Sequence, residues 1–345
     1  MKMTLEEARK QIDEADGRLW EAFRLRMEAS AEIAAWKEAR GLPVRDPLRE
    51  AQKLSDTRAR FSQPLDLYAE RLCKALFDLS SAYQEDLRFS EAHPDGRGLR
   101  CGLLGKSLPH SYSPALHRLL GEYSYELFEV AEEELGDFMR RADFDGINVT
   151  VPYKKAVLPY LDGISPAAEA IGSVNTVVRR EDGSLVGDNT DWAGFVDLVT
   201  GSGIPVKGKK AVVLGSGGSS AAICYGLRRM GVTELTVISR SGADNYGNLE
   251  KHADAEILVN CTPVGMYPRV DEAPLRLTAF PKLEAVYDII YNPAKTALLA
   301  EAEALGIPGF NGLRMLAEQA RLASSLFCRC PRDPALTDRL MEAFA

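Results

Sequence analysis

Three short runs between Gly146 and Asp191 set polar residues into apolar ones in a pattern that could do chemistry. They are Asn148-Val149-Thr150-Val151-Pro152-Tyr153-Lys154, Ser173-Val174-Asn175-Thr176-Val177 and Asp188-Asn189-Thr190-Asp191. A Val-rich strand ending in Asn, Thr, Lys or Asp carries its polar groups to a strand end, where open α/β sheets collect small-molecule ligands. Lys154 and Asp191 would then form an acid/base pair, because a lysine withdrawn from water tunes readily for proton transfer. Further on, Ala211-Val212-Val213-Leu214-Gly215-Ser216-Gly217-Gly218-Ser219-Ser220 places glycines between a strand and a helix rich in small residues. A glycine cluster alone is weak evidence. The next strand, however, ends at Ser239-Arg240-Ser241, with no acid for a ribose 2′-hydroxyl and an arginine for a 2′-phosphate, so NADP is favoured over NAD.

The elements that must position these residues fall into two parts. Residues up to about Arg88 show no strand-like alternation and read as helices. The breaker-rich stretch Phe89–Gly98 ends that part, and Cys101-Gly102-Leu103-Leu104-Gly105 opens an apolar strand. Strands are then expected at 146–151, 174–179, 211–214, 235–239, 257–260 and 285–289. Alternating with helices, they imply α/β with mostly parallel sheets.

A chain of 345 residues should hold about two to three domains. The 46% hydrophobic and 27% charged content is ordinary for a globular protein. No segment is apolar enough to span a bilayer, and the acidic N-terminus lacks a signal-peptide core, so a cytoplasmic location without membrane attachment is expected. The formal charge of −8 argues against non-specific nucleic-acid binding, and anionic substrates would need local arginines. Six cysteines and four histidines show no ligand spacing. No metal is expected, and Cys328-Arg329-Cys330 reads as helix packing.

The runs from Asn148 to Asp191 resemble those of shikimate dehydrogenases. So do Ser111-Tyr112-Ser113-Pro114, Asn260-Cys261-Thr262-Pro263-Val264-Gly265-Met266 and Gly312-Leu313-Arg314-Met315-Leu316, and the likeness spans Leu99 to Ala345. It implies that Ser111 and Ser113 bind a substrate carboxylate, that Thr150, Asn175, Tyr291 and Gln319 hold ring hydroxyls, and that Lys154 with Asp191 serves a carbonyl receiving hydride at C3. Gly215, Ser216, Gly217, Gly218, Ser219, Ser239, Arg240, Ser241 and Thr262 would hold NADP, with Met266 and Met315 lining the nicotinamide side. The run from Ser241 to Glu256 looks short for this family, so the adenine side is expected to be trimmed or loop-like.

In the helical part, Leu5, Arg9, Ile12, Asp16, Leu19, Phe23, Arg26, Ser30, Ile33 and Lys37 alternate in steps of four and three, the seam of one long helix. Arg9, Arg26 and Lys37 on that seam either snorkel past it or line an internal anion site. With Pro43-Val44-Arg45-Asp46-Pro47-Leu48-Arg49-Glu50 and the pair Ser80 and Gln84, the region over residues 4–88 resembles the all-helical chorismate mutases. That resemblance implies that Arg9, Arg26 and Arg49 hold two carboxylates, supported by Arg45 and Ser80. Glu50 and the Asp46 backbone would hold a ring hydroxyl, and Lys37 with Gln84 would donate to the ether oxygen. Arg9 lies about 25 Å from Arg26 along one helix, so one small ring cannot touch both. Arg9 must serve a second protomer, in agreement with the intertwined homodimer of that family.

The expectation is therefore a multidomain protein: an all-α three-helix chorismate-mutase-like domain (1–90), a linker (91–98), a shikimate-binding α/β domain (99–200 and 313–345) and a Rossmann-like NADP domain (201–312). Its substrates would be chorismate and 3-dehydroshikimate or shikimate. Two alternatives stay open: a helical domain that senses chorismate or prephenate for the dehydrogenase, and a quinate-preferring dehydrogenase.

Overall fold

Helices dominate the described residues up to Leu87 because the chain there offers a period near 3.5 and no run of β-branched residues. The computed structural model describes residues 4–38, 47–87, 95–108 and 111–344. They fall into two compact units, 1–92 and 93–345. The first unit comprises α1 (Leu5–Glu38), α2 (Pro47–Ala59) and α3 (Leu65–Leu87). Thr4 opens α1 with a capping box: its hydroxyl accepts from Glu7 N–H at 3.3 Å while Glu7 accepts from Thr4 N–H at 2.8 Å. The C-terminal half of α1 packs on α3 through Ser30, Ala34 and Phe77. Its N-terminal half has little cover from α2 and α3, and Ile12 (59%) and Trp20 (64%) are exposed.

The second unit holds two sheets. The first comprises β1 (Arg100–Gly105), β2 (Ser124–Glu129), β3 (Gly146–Val149), β4 (Gly163–Ile164), β5 (Thr176–Arg179) and β6 (Leu185–Asp188), in the order β2-β1-β3-β5-β6-β4. Most of its pairings are parallel, as expected, and only β5 runs antiparallel, to both β3 and β6. The hairpin turn Asp182-Gly183 is the cause: Gly183 takes φ +85°, and a tight turn can join only antiparallel strands. The second sheet, β7 (Lys210–Leu214), β8 (Glu234–Ile238), β9 (Ile257–Asn260), β10 (Ala285–Asp288) and β11 (Gly309–Phe310), is parallel throughout in the order β11-β10-β9-β7-β8. Its inner strands are buried along their whole length, which is why they read as unbroken apolar runs.

Helices α4 (Ser113–Arg118), α5 (Leu135–Arg141), α6 (Pro166–Ile171), α7 (Asp191–Ser202), α8 (Gly218–Arg229), α9 (Ala297–Ala304), α10 (Leu313–Phe327) and α11 (Ala335–Phe344) complete this unit. Helix α7 leads from the first sheet into the second and α10 leads back, and the two pack against each other. Glycine permits the close crossing: a Cβ on Gly194 of α7 would lie 2.6 Å from the Met315 carbonyl oxygen of α10. At the start of α10 a Cβ on Gly312 would lie 2.0 Å from the Ile289 carbonyl oxygen. That neighbour is backbone and cannot swing aside.

Gly312→Ala should therefore cost about 1–3 kcal/mol or more and lower the thermal midpoint of the second unit. Gly17→Ala, a site in α1 with no atom within 4 Å of the new Cβ, should be neutral or slightly stabilising. Calorimetry on the two variants checks the contrast; equal melting profiles would rule out the packing argument.

Candidate active site

The end of β3, the start of β5, the first turn of α7 and the inner face of α10 enclose an open cleft of about 190 Å³. Lys154 stands in it on the turn after β3, where its carbonyl accepts from Val174 N–H at 2.8 Å. Lys154 Nζ donates to Asp191 Oδ2 at 2.5 Å, and the two side chains are only 13% and 9% exposed. A second ammonium hydrogen reaches Ser219 Oγ at 3.2 Å. An ammonium carries three donors, so one remains to be aimed at a ligand in the cleft. Asp191 is the first residue of α7, where the helix N-terminus favours its charge.

Asn175 meets Asp191 from the other side: its amide donates to Asp191 Oδ1 at 2.8 Å and to Thr190 Oγ1 at 3.0 Å. Its oxygen accepts from Thr190 N–H at 2.7 Å. Both amide hydrogens are thus occupied within the protein. Ser111, Ser113, Thr150, Tyr291, Gln319 and Met315 also line the cleft, as the sequence led us to expect. Ser113 N–H donates to Ser111 Oγ at 3.2 Å, which turns the two serines toward one point. Tyr112 packs on the Tyr291 ring at 5.1 Å, and burial raises the Tyr291 phenol above its ordinary value. Met266 is 46% exposed and lies outside the lining of this cleft. Two residues without an expected role belong to the site: Asn148 lines the cleft, and Thr190 bonds both Asn175 and the Gln319 carbonyl. Asn148 could have been found from period 2, since it shares a strand face with Thr150.

The glycine turn lies on the far side of Lys154. Gly215 takes φ +100°, where a side chain would be strained, and its Cβ would meet the Cys261 carbonyl and Thr262 at 3.3 Å. Gly217 caps α8 without any side-chain bond to the first-turn N–H groups, and a Cβ there meets nothing within 4 Å. Open N–H donors at the start of a twelve-residue helix, beside exposed Ser216 and part-exposed Gly218, fit a dinucleotide pyrophosphate. Thr262 is fixed by two bonds to Asn260 Oδ1, at 3.0 and 2.7 Å. After β8, Ser239, Arg240 and Ser241 form a turn closed by Ser239 N–H donating to the Asp244 carbonyl at 3.1 Å. Arg240 is exposed there, which suits a 2′-phosphate, while the Asp244 carboxylate turns to His252 at 2.7 Å.

In the helical unit, Arg26 donates to the Leu76 carbonyl at 3.3 Å and lies over the Phe77 ring. Its Nε and the Ser80 Oγ are buried without a hydrogen-bond partner. Buried donors are rarely left so, and an anionic ligand would satisfy both. Arg9 and Lys37 lie on α1, Arg49 and Glu50 on α2 and Gln84 on α3, and Arg9 is exposed. Arg45 and Asp46 lie outside the described residues. Among the described residues no cluster of potential metal ligands occurs.

Residues 103–177 match the shikimate dehydrogenase substrate binding domain, and residues 8–85 match chorismate mutase type II. Shikimate dehydrogenase (NADP(+)) of Clostridium beijerinckii is 35% identical over 262 residues, covering 70% of this chain and 97% of that protein. A chorismate mutase/shikimate 5-dehydrogenase fusion protein from Clostridium acetobutylicum is similar at 32% identity and TM-score 0.67, over 70% of this chain and 95% of that one. Shikimate 5-dehydrogenase from Thermus thermophilus, solved with NADP(H) and shikimate, is similar at 37% identity and TM-score 0.65, over 72% and 100% of the respective chains.

Asp288, at the end of β10, is fully buried and bonded by Thr296, Asn260 and Ile290, yet desolvation dominates and raises its carboxyl from 3.8 to about 6. A raised carboxyl means that the folded state holds the proton longer, so its stabilisation is full below pH 3.8 and is lost as pH rises through about 6. The loss is at most about 3 kcal/mol at 1.36 kcal/mol per unit. Asp288→Asn should be more stable than the parent at pH 7, with the gap closing toward pH 4. Urea midpoints across that range measure it, and a pH-independent gap would contradict the assignment.

Proposed function

From a chain that belongs to the shikimate dehydrogenase family and carries a chorismate mutase type II region ahead of it, we infer a bifunctional enzyme of aromatic biosynthesis. It reduces 3-dehydroshikimate to shikimate with NADPH and rearranges chorismate to prephenate. In this reading residues 1–90 form the mutase domain, 91–98 the linker, 99–200 with 313–345 the shikimate domain and 201–312 the NADP domain. The observation that carries the dehydrogenase assignment is the nearly dry Lys154–Asp191 pair, its remaining donor in a cleft lined by Ser111, Ser113 and Thr150.

Bound NADPH supplies the hydride. Lys154 delivers a proton to the C3 oxygen as it gains charge, and Asp191 holds the Lys154 side chain aimed at it. The serines take the ring carboxylate, while Thr150, Tyr291, Gln319 and Asn148 orient the hydroxyls. Asn175 acts chiefly by holding Asp191, and Arg240 takes the 2′-phosphate.

The mutase reaction breaks one C–O bond and forms one C–C bond within a single molecule, so no nucleophile or proton transfer is needed. Arg26 and Arg49 hold carboxylates, Ser80 supports them, and Lys37 with Gln84 donates to the ether oxygen, where negative charge grows. Arg9 belongs to the neighbouring site, since about 25 Å separates it from Arg26 along α1. The exposed Ile12, Leu19 and Ile33, which share the seam of α1, support a homodimer through this domain, because this apolar stripe would otherwise stay in water. A cytoplasmic location belongs to the same reading; no described helix is long and apolar enough to cross a membrane.

Lys154→Ala should lower shikimate oxidation by roughly two to four orders of magnitude and leave chorismate turnover unchanged. A drop of only a few fold would remove Lys154 from the acid/base role. Assays on wild-type protein with quinate in place of shikimate, and with chorismate alone, decide between the present reading and a quinate enzyme or a merely sensing helical domain.

Arg9→Ala and Arg26→Ala should each be nearly inactive as mutases, yet recover together. With random pairing half the dimers are mixed and half of their sites are whole, so about a quarter of wild-type turnover should return after co-refolding in equal amounts. No recovery despite verified subunit exchange would reject the shared site.

A further inference from the structure

We propose that Tyr125, on edge strand β2, is a positioning residue for the dehydrogenase reaction, heading a one-way chain of hydrogen bonds that ends on the Asp191 carboxylate. The Tyr125 hydroxyl donates to Asn148 Oδ1 at 2.7 Å, and Asn148 Nδ2 donates to Thr176 Oγ1 at 3.3 Å. Thr176 Oγ1 donates to Asn175 Oδ1 at 3.0 Å, and Asn175 Nδ2 donates to Asp191 Oδ1 at 2.8 Å. The proposal rests on the reading of Lys154 and Asp191 as the acid/base pair.

The direction of every link follows from the charge at its end. An ionised carboxylate only accepts, so Asn175 must turn its NH₂ to Asp191 and leave its oxygen to accept. Thr176 spends its single proton on that oxygen, and its lone pairs then require the NH₂ of Asn148. The Asn148 oxygen is left facing Tyr125, whose O–H can donate. Aligned bonds polarise one another, by roughly 10–30% per link, so the phenol reinforces the negative charge of Asp191 without touching it. The same chain fixes the Asn148 amide that lines the cleft.

The surroundings keep other charges out of the relay. His117 stacks on the Tyr125 ring at 3.9 Å and 10°, and its Nδ1 lies 2.7 Å from the Tyr123 hydroxyl. Burial pushes His117 down to about 3, so it is neutral at working pH. Burial likewise raises the Tyr123, Tyr125 and Cys101 groups, which stay protonated. Around Asp191, the Cys261 thiol is held protonated by burial and Lys154 supplies the charge on the other carboxylate oxygen.

The test uses the full-length enzyme and pairs Tyr125→Phe with Tyr123→Phe, two losses of one hydroxyl from neighbouring rings, of which only the first heads the chain. A less stabilised carboxylate takes up its proton at higher pH. Tyr125→Phe should therefore move the acid limb of the kcat/KM profile for shikimate oxidation up by roughly half a pH unit. It should also lower kcat several fold with little change in KM, while Tyr123→Phe keeps the wild-type profile. Thr176→Val, two links nearer Asp191, should shift the limb at least as far and serves if Tyr125→Phe misfolds. A wild-type acid limb in Tyr125→Phe or in Thr176→Val, or equal shifts in the two tyrosine variants, overturns the relay. Asp191→Asn separates the two levels of the argument: retained activity there refutes the acid/base reading itself, whereas lost activity beside an unmoved limb refutes only the relay.

Discussion

Holding an ammonium and a carboxylate together out of water is the constraint around which the second unit is arranged. Removing one partner of such a pair leaves a buried charge and costs about 3–5 kcal/mol, so each oxygen and each proton must be provided for. Asp191 is met by Lys154 on one oxygen and Asn175 on the other, and it sits at the start of α7. Lys154 is held by a turn whose carbonyl bonds Val174, and its stem lies 3.3 Å from where a Cβ on Gly218 would stand. Lys154 and the glycine turn are thereby packed against one another. Glycine is required there as much for the lysine as for any phosphate.

The joining of the two lobes follows from the same demand. Helix α7 carries Asp191 at its first residue and α10 carries Met315 and Gln319, so both must be placed to within a fraction of an ångström of the cleft. Gly194 and Gly312 let backbone touch backbone where these helices cross and begin. Thr190 links them, donating to the Gln319 carbonyl at 3.2 Å. Contacts through backbone leave no rotamer to relax, and this is how a site assembled from two directions stays rigid.

The helical unit meets a different constraint. A 34-residue helix spans about 50 Å, far more than α2 and α3, of 13 and 23 residues, can cover. Part of α1 must therefore find its cover beyond α2 and α3 or remain exposed with its leucines, isoleucines and tryptophans. Length alone turns a catalytic seam into an argument about assembly.

Much of this was legible in the residues themselves. The polar endings of the Val-rich runs located Lys154, Asp191, Thr150 and Asn175, because a strand end fixes where its last side chains go, and the structure brings them into one cleft with Ser111, Ser113, Tyr291 and Gln319. The glycine turn and the long seam were equally plain, since both are local patterns. Tertiary structure decided what depends on distant partners. Strand β2 alternates without a strong apolar face and became a strand only by pairing with β1; with it came Tyr125 and its bond to Asn148. The pairing of β5 with β3 was likewise set by neighbours, whereas its antiparallel direction against β6 follows from the local Asp182-Gly183 turn.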